Sequence, residues 1–254
     1  MSELKRIPGL SVFLPSHNEE ANVERVVRSY LAELPKVAER YEAIVVNDGS
    51  RDRTGEIADR LAKEDSHVKA VHHPVNRGYG GAVISGIRAA TMPYVLLSDG
   101  DGQFDPADLE LMIPFVPEFD VVAGHRAHRA DPLMRRINGK AWTLLVRAAL
   151  GITISDIDCG FKLFKREFLD GMELRAHGAM ISTELMARMA GRGAKVKEVD
   201  VQHLPRVAGE QSGANLKVVA RAFKELFALY RDLQEERKRS EAAGRSSSDP
   251  KKPS

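Results

Sequence analysis

The sequence predicts an α/β fold built on a mainly parallel sheet flanked by helices. Short apolar runs alternate with longer amphipathic segments through the first half of the chain, the signature of βαβ units. The runs are continuously apolar, as expected for strands that helices cover on both faces. The residues that follow them are polar, acidic or glycine, and open parallel sheets bind ligands beyond the carboxyl ends of their strands.

The first strand spans Leu10–Leu14. A helix over Glu19–Leu34 follows, with Val23, Val26, Val27, Tyr30, Leu31 and Leu34 at helical spacing. Ala43–Val46 is the second strand, closed by Asn47-Asp48-Gly49-Ser50. Ser50 or Asp52 caps the next helix, which runs to about Lys63. Val68–His72 is the third strand. The turn Asn76-Arg77-Gly78-Tyr79-Gly80-Gly81 then opens a helix ending near Ala90. Tyr94–Ser98 is the fourth strand, Ala107–Phe115 a short helix and Phe119–Ala123 the fifth strand.

The pattern changes after Gly124. His125–Arg136 reads as a basic loop, Ile137–Leu150 as a helix and Phe161–Phe164 as a strand. Ile181–Ala190 reads as a helix and Val196–Val201 as a strand. Asn215–Arg239 is a long helix, with an apolar stripe from Leu216 to Tyr230 beside Lys217, Arg221, Lys224 and Arg231. Beyond Ala242, Ser, Pro, Lys and Gly give a disordered tail. The expected organisation is an extension over 1–9, a catalytic domain over 10–214, the amphipathic helix over 215–240 and the tail over 241–254.

Composition narrows the function. Hydrophobic residues make up 43% and charged residues 29% of the 254, ordinary for a globular domain. Lys and Arg total 38 against 36 Asp and Glu. That balance gives no field for nucleic acid. A single cysteine, Cys159, excludes an internal disulfide and a Cys-rich zinc site. No apolar run is long enough to span a bilayer, and Met1–Gly9 lacks the features of a secretory signal. The expected location is cytoplasmic. The basic amphipathic helix suits either a membrane interface at the inner face, giving peripheral contact, or packing on protein.

The sharpest chemistry is Asp99-Gly100-Asp101-Gly102-Gln103. Two carboxylates one residue apart, at the end of a Val-Leu-Leu strand, suit a Mg²⁺ or Mn²⁺ ion that shares substrate phosphates. Asp156 and Asp158 repeat the spacing without such a strand before them. Neither a Rossmann fingerprint after the first strand nor a P-loop occurs. His17, His72 and His73 read as loop or strand-end histidines rather than ligands.

The ordered set Leu14-Pro15-Ser16-His17-Asn18-Glu19, Val46-Asn47-Asp48-Gly49-Ser50, Asn76-Arg77-Gly78-Tyr79-Gly80 and Asp99-Gly100-Asp101-Gly102-Gln103 resembles family 2 glycosyltransferases, in the branch of polyprenyl-phosphate mannose and glucose synthases. The resemblance covers about Leu10 to Leu216. It implies a GT-A fold, a nucleotide-diphosphate-sugar donor such as GDP-mannose or UDP-glucose, a divalent metal and polyprenyl phosphate as acceptor. It implies that Pro15, Asn18 and Glu19 line the nucleoside pocket, that Asp48 reads the base edge, and that Asp99 and Asp101 hold donor and metal with Gln103 close to the ion; Gly78, opening a helix after a strand, is a candidate to cradle a donor phosphate. Arg206, Gly209 and Ser212 look like the segment that closes over the diphosphate. Asp158, ahead of Cys159-Gly160-Phe161-Lys162, looks like the carboxylate that faces sugar or acceptor. Arg126 and Arg129 are candidate clamps for an acceptor phosphate, since Arg binds phosphate oxygens bidentately. Glu184 is a candidate acceptor-side carboxylate. The chain departs from the family in Gly100 and Gly102, and in Gly213 where many members have lysine. Transfer to a soluble hydroxyl, and an inactive nucleotide-sugar-binding protein, are the alternative readings.

Overall fold

The computed structural model describes residues 5–127, 133–205 and 223–236, with the backbone alone over 133–140. Two units make up the chain, Met1–Ser212 and Gly213–Ser254.

The first unit holds a seven-stranded sheet in the order β3-β2-β1-β4-β6-β5-β7. The strands are β1 (Leu10–Ser16), β2 (Tyr41–Asn47), β3 (Val68–His72), β4 (Tyr94–Ser98), β5 (Val121–His125), β6 (Phe161–Lys165) and β7 (Val196–Asp200). β1 pairs parallel with β2 and β4, β2 with β3, and β5 with β7. β6 runs antiparallel to both of its neighbours, β4 and β5. The carboxyl ends of six strands and the amino end of β6 therefore share one rim.

The helices are α1 (Val23–Val37), α2 (Thr54–Glu64), α3 (Gly78–Ala89), α4 (Leu109–Met112), α5 (Leu133–Leu150) and α6 (Met180–Gly191). Strand alternation divides the core between the two sheet faces. Leu10, Val12 and Leu14 of β1 pack in one buried cluster with Val26, Val27, Tyr30 and Leu34 of α1. Phe13 points the other way, and its ring lies where a side chain on Gly86 of α3 would sit. Complete burial of a leucine or phenylalanine is worth about 1.5–3 kcal/mol, so these two layers fix the strand register.

Three segments differ from the sequence expectation; one is α5, which begins at Leu133, inside the expected basic loop, rather than at Ile137. The first helix begins at Val23 rather than Glu19. The backbone N–H groups of Asn18, Glu19 and Glu20 donate instead to Ser50 Oγ, Thr54 Oγ1 and Asp52 Oδ2 at 3.0, 2.8 and 3.0 Å. This ties the chain after β1 to the chain after β2. The expected helix over Ala107–Phe115 is one short α-turn between two 3₁₀ turns, Pro106–Asp108 and Ile113–Phe115; Pro106 and Pro114 supply no backbone donor. In the second unit, residues 223–236 are helical, with Phe223, Phe227 and Tyr230 exposed.

Candidate active site

β1 and β4 lie side by side, and the chain leaves them in opposite directions across the sheet. This is the switch point where an open α/β sheet forms a crevice. Asp99 and Asp101 stand there, directly beyond β4. Tyr30 of α1 donates from its hydroxyl to Ser98 Oγ at 2.6 Å, fixing the end of the strand that carries them.

Asp99 keeps part of its surface open yet sits deep among protein atoms. Its carboxyl is pushed up to about 6, first by desolvation and then by the charge of Asp101. The Tyr79 hydroxyl opposes that shift by donating to Asp99 Oδ1 at 2.8 Å; Arg126 and Lys162 oppose it through their charge. Gly160 faces Asp99 across the β4–β6 pair. The Asp99 N–H donates to Gly160 O at 3.2 Å, and a Cβ on Gly160 would overlap the carboxylate. Asp101 Oδ1 accepts the Gln103 N–H at 3.0 Å. Gln103 in turn holds the chain after β7, accepting from Leu204 N–H at 2.8 Å and donating Nε2–H to Leu204 O at 3.1 Å.

Asp101 raises the proton affinity of Asp99, and two such neighbouring carboxylates form a donor set that a divalent cation suits, with phosphate oxygens and water completing its shell. Among the described residues no group of three or more His, Cys, Asp or Glu side chains offers a closed cage. The pair therefore fits an ion that substrate helps to hold.

The nucleoside-side candidates gather on the same rim. Pro15 pairs with Val46 in the β1–β2 register. Asn18 has a φ of 55°, and its Oδ1 accepts from Arg51 N–H at 2.9 Å. Glu19 is buried and accepts from Asn22 Nδ2 at 2.7 Å. Asp48 is 3% exposed; its Oδ1 accepts from His73 Nδ1 at 2.6 Å and from the Arg77 N–H at 2.8 Å. Gly78 has a φ of 81°, a conformation that favours glycine, and its missing side chain leaves room for the His177 carbonyl.

On the acceptor side the structure redraws two residues. Glu184, a candidate carboxylate in the sequence, is 2% exposed. Its Oε2 accepts the N–H groups of Arg175 and Ala176 at 2.9 and 2.7 Å, and its Oε1 accepts from Arg188 Nε at 2.9 Å. It anchors the 175–177 turn to α6 and is not positioned as a base. Arg126 is not an open clamp. Its Nε and Nη2 both donate to Asp156, each at 2.8 Å, in a bidentate pair with side chains 13% and 4% exposed. Burial disfavours the guanidinium charge, but the Asp156 hydrogen bonds more than offset this and raise its pKa. Asp158 is exposed in the same loop. Arg129, Arg206 and Ser212 lie outside the described residues.

The sequence reading passed over Tyr79, Gly160 and Lys162. Lys162, the second residue of β6, is fully buried, and its Nζ donates to the carbonyls of Ile157 and Cys159. Burial pulls its ammonium pKa down, while the charges of Cys159, Asp156 and Asp158 act the other way. Lys162 thus staples the turn that carries Asp158 onto the sheet.

The description "Glycosyl transferase family 2" matches residues 11–172. The undecaprenyl-phosphate 4-deoxy-4-formamido-L-arabinose transferase of Pectobacterium atrosepticum is 30% identical over 217 residues, which make up 84% of this chain and 65% of that one. The chain thus spans just under two thirds of that relative's length. Glycosyltransferase AglD of Haloferax volcanii is 33% identical over 207 residues, 78% of this chain and 33% of that protein. Among solved structures, glucosyl-3-phosphoglycerate synthase from Mycobacterium tuberculosis, in complex with Mn²⁺, UDP and glucosyl-3-phosphoglycerate, superposes with a TM-score of 0.66 at 21% identity, covering 89% of this chain and 80% of that one. That likeness supports the GT-A fold. With the match across residues 11–172, the chain belongs to glycosyl transferase family 2.

Proposed function

We propose that the protein is an inverting, metal-dependent hexosyltransferase that uses a nucleotide-diphosphate sugar and polyprenyl phosphate. The observation that carries the reading is the Asp99/Asp101 pair at the β1/β4 crevice, with Asp99 pushed up to about 6 by burial and by its neighbour. The names of the curated relatives favour a lipid-phosphate acceptor, and an Mn²⁺-containing relative of the same fold favours the metal.

Asp99 and Asp101 would hold Mg²⁺ or Mn²⁺, which when bound supplies positive charge to the diphosphate. Tyr79 and Gly160 keep Asp99 aimed, and Gln103 ties the metal loop to the chain that leads to Arg206. In the reaction an acceptor oxygen forms a bond to the anomeric carbon as the bond to the β-phosphate oxygen breaks, and the nucleoside diphosphate departs with the electron pair. A phosphate monoester has a second pKa near 6 and is largely dianionic at neutral pH, so such an acceptor needs no general base. A hydroxyl acceptor would need one. Of the candidate carboxylates Asp156, Asp158 and Glu184, Asp156 is paired with Arg126 and Glu184 with Arg188 and its turn, so Asp158 is the base such a route would use.

The test is sugar transfer from radiolabelled UDP-glucose and GDP-mannose to polyprenyl phosphate with Mg²⁺ or Mn²⁺. The expected result is a chloroform-extractable product that vanishes in Asp99→Asn/Asp101→Asn. Absence of such product with either donor removes the lipid-acceptor reading. Peripheral membrane contact through the amphipathic helix belongs to the same proposal; among the described residues no helix is long and apolar enough to cross a membrane.

A further inference from the structure

β6 carries two lysines in opposite surroundings. Lys165 has a side chain 21% exposed, and its Nζ pairs with Asp120 Oδ1 at 2.7 Å. Lys162 is fully buried, and among the described residues no carboxylate pairs with it. Its Nζ donates to neutral partners instead, the carbonyls of Ile157, at 3.0 Å, and of Cys159. Leu97 of β4 and Ala123 of β5 stand beside it in the register, and Phe161, Leu163 and Phe164 are buried with it. A methionine would satisfy the packing of this position. An ammonium there is costly to desolvate, and two carbonyls repay that only in part. The fold alone does not ask for this lysine.

Its partners supply the reason for it. The two carbonyls flank Asp158, and the Cys159 N–H closes the turn on Asp156 O at 3.2 Å. Gly160 comes next. Its carbonyl accepts the Asp99 N–H at 3.2 Å, and no side chain on Gly160 would clear the Asp99 carboxylate. A shift of the turn therefore moves the seat of Asp99. The start of the turn is held separately, by the Arg126–Asp156 pair. Lys162 fixes the part that meets the acidic loop.

We infer that Lys162 is a positioning residue for the acidic pair, kept at a cost in stability: its ammonium sets the 157–160 turn, and Gly160 of that turn seats the Asp99 carboxylate. The inference rests on the reading of Asp99 and Asp101 as the pair that holds the metal. It makes a lysine inside the sheet part of metal binding without contact to the ion.

The experiment compares Lys162→Met with Lys165→Met in the full chain, by thermal melts without metal and by calorimetric titration of Mn²⁺ in the presence of UDP or GDP. Lys162→Met keeps the bulk and removes the charge and the donors. It is expected to melt within about 3 °C of the wild type or above it, since relief from the buried charge offsets the two lost hydrogen bonds. Its Mn²⁺ affinity is expected to fall by about tenfold or more, as when an outer partner of a metal ligand is lost. Lys165→Met, on the same strand, is expected to keep Mn²⁺ affinity within about twofold of the wild type, because its lysine supports no residue of the acidic loop. A melting temperature of Lys162→Met below that range assigns the lysine to the fold and overturns the inference, as does wild-type Mn²⁺ affinity in that variant. An equal loss in Lys165→Met also overturns it, because any disturbance of β6 would then suffice. Each of these results leaves the metal reading standing as long as the wild type takes up Mn²⁺. If the wild type takes up no Mn²⁺ with either nucleotide, the proposed function falls and the inference with it.

Discussion

Tyr79 donates its hydroxyl to Asp99 Oδ1 at 2.8 Å, joining the first turn of α3 to the acidic loop beyond β4. Burial, then the charge of Asp99, raise the phenol's pKa well above its usual value, so it remains a donor throughout the working range. Among the described residues it is the one partner of Asp99 that holds the carboxylate by a side-chain hydrogen bond while leaving its charge in place.

Tyr79→Phe removes that bond without removing the ring. The Asp99 carboxyl should then titrate above about 6, because a group that favours its charged form is gone. Loss of an outer partner to a metal ligand costs roughly 10–100-fold in metal affinity or activity. Mn²⁺ titrations between pH 5 and 8 should show weaker binding at every pH and a midpoint moved upward. A midpoint that stays put would separate Tyr79 from the acidic pair.

Stability should also depend on Asp99. Its folded-state pKa of about 6 lies above the ordinary carboxyl value of 3.8, so between these values the folded protein binds more protons than the unfolded chain. Stability must therefore fall as pH rises through that window. Asp99→Asn should flatten this dependence and melt at a higher temperature than the metal-free wild type at pH 7. Added Mn²⁺ should restore the wild type and leave the variant unmoved. Thermal melts at pH 4 and pH 7, with and without Mn²⁺, give the answer.

Gly160→Ala places a methyl group on the Asp99 carboxylate. Overpacking of this kind costs about 1–3 kcal/mol, and here the displaced group is the proposed metal ligand. Turnover should drop more steeply than stability. Urea denaturation beside Mn²⁺ affinity separates the two, and a variant that binds the ion normally would contradict the packing argument.

Asp156→Asn strands the Arg126 guanidinium inside the protein. Breaking a buried ion pair from one side costs about 3–5 kcal/mol, whereas Arg126→Met with Asp156→Leu removes both charges and should cost less. Denaturant midpoints of the single and double variants should fall in that order.

Much of this architecture could be read in the sequence, and the exceptions have physical causes. The strands declare themselves because a strand covered on both faces needs an unbroken apolar run. The boundary of α1 did not, because apolar spacing cannot reveal that the N–H groups of residues 18–20 are taken by side chains some thirty residues away. Glu184 reads as an acceptor carboxylate if its own helix is ignored; Arg188, one turn on, was the local signal of an ion pair. Lys162 looks like an interruption of an apolar strand until the carbonyls of Ile157 and Cys159 come into view. The acidic pair was legible in place and type, because both members lie in one loop. The partners that tune it come from α3 and β6, and contacts of that range leave no local trace.

The reversed direction of β6 sets how the two sides of the crevice are joined. β1, β2 and β3 bear their candidate site residues on the way out, and each of those loops runs on into a helix. The 156–160 turn is delivered on the way in, after the long excursion from β5. Only its last residue is tied to β4, where Gly160 meets the Asp99 carboxylate. Under the proposed function the acceptor side would therefore hang on a connection separate from the loops after β1, β2 and β4, joined to them at the single glycine where no side chain fits.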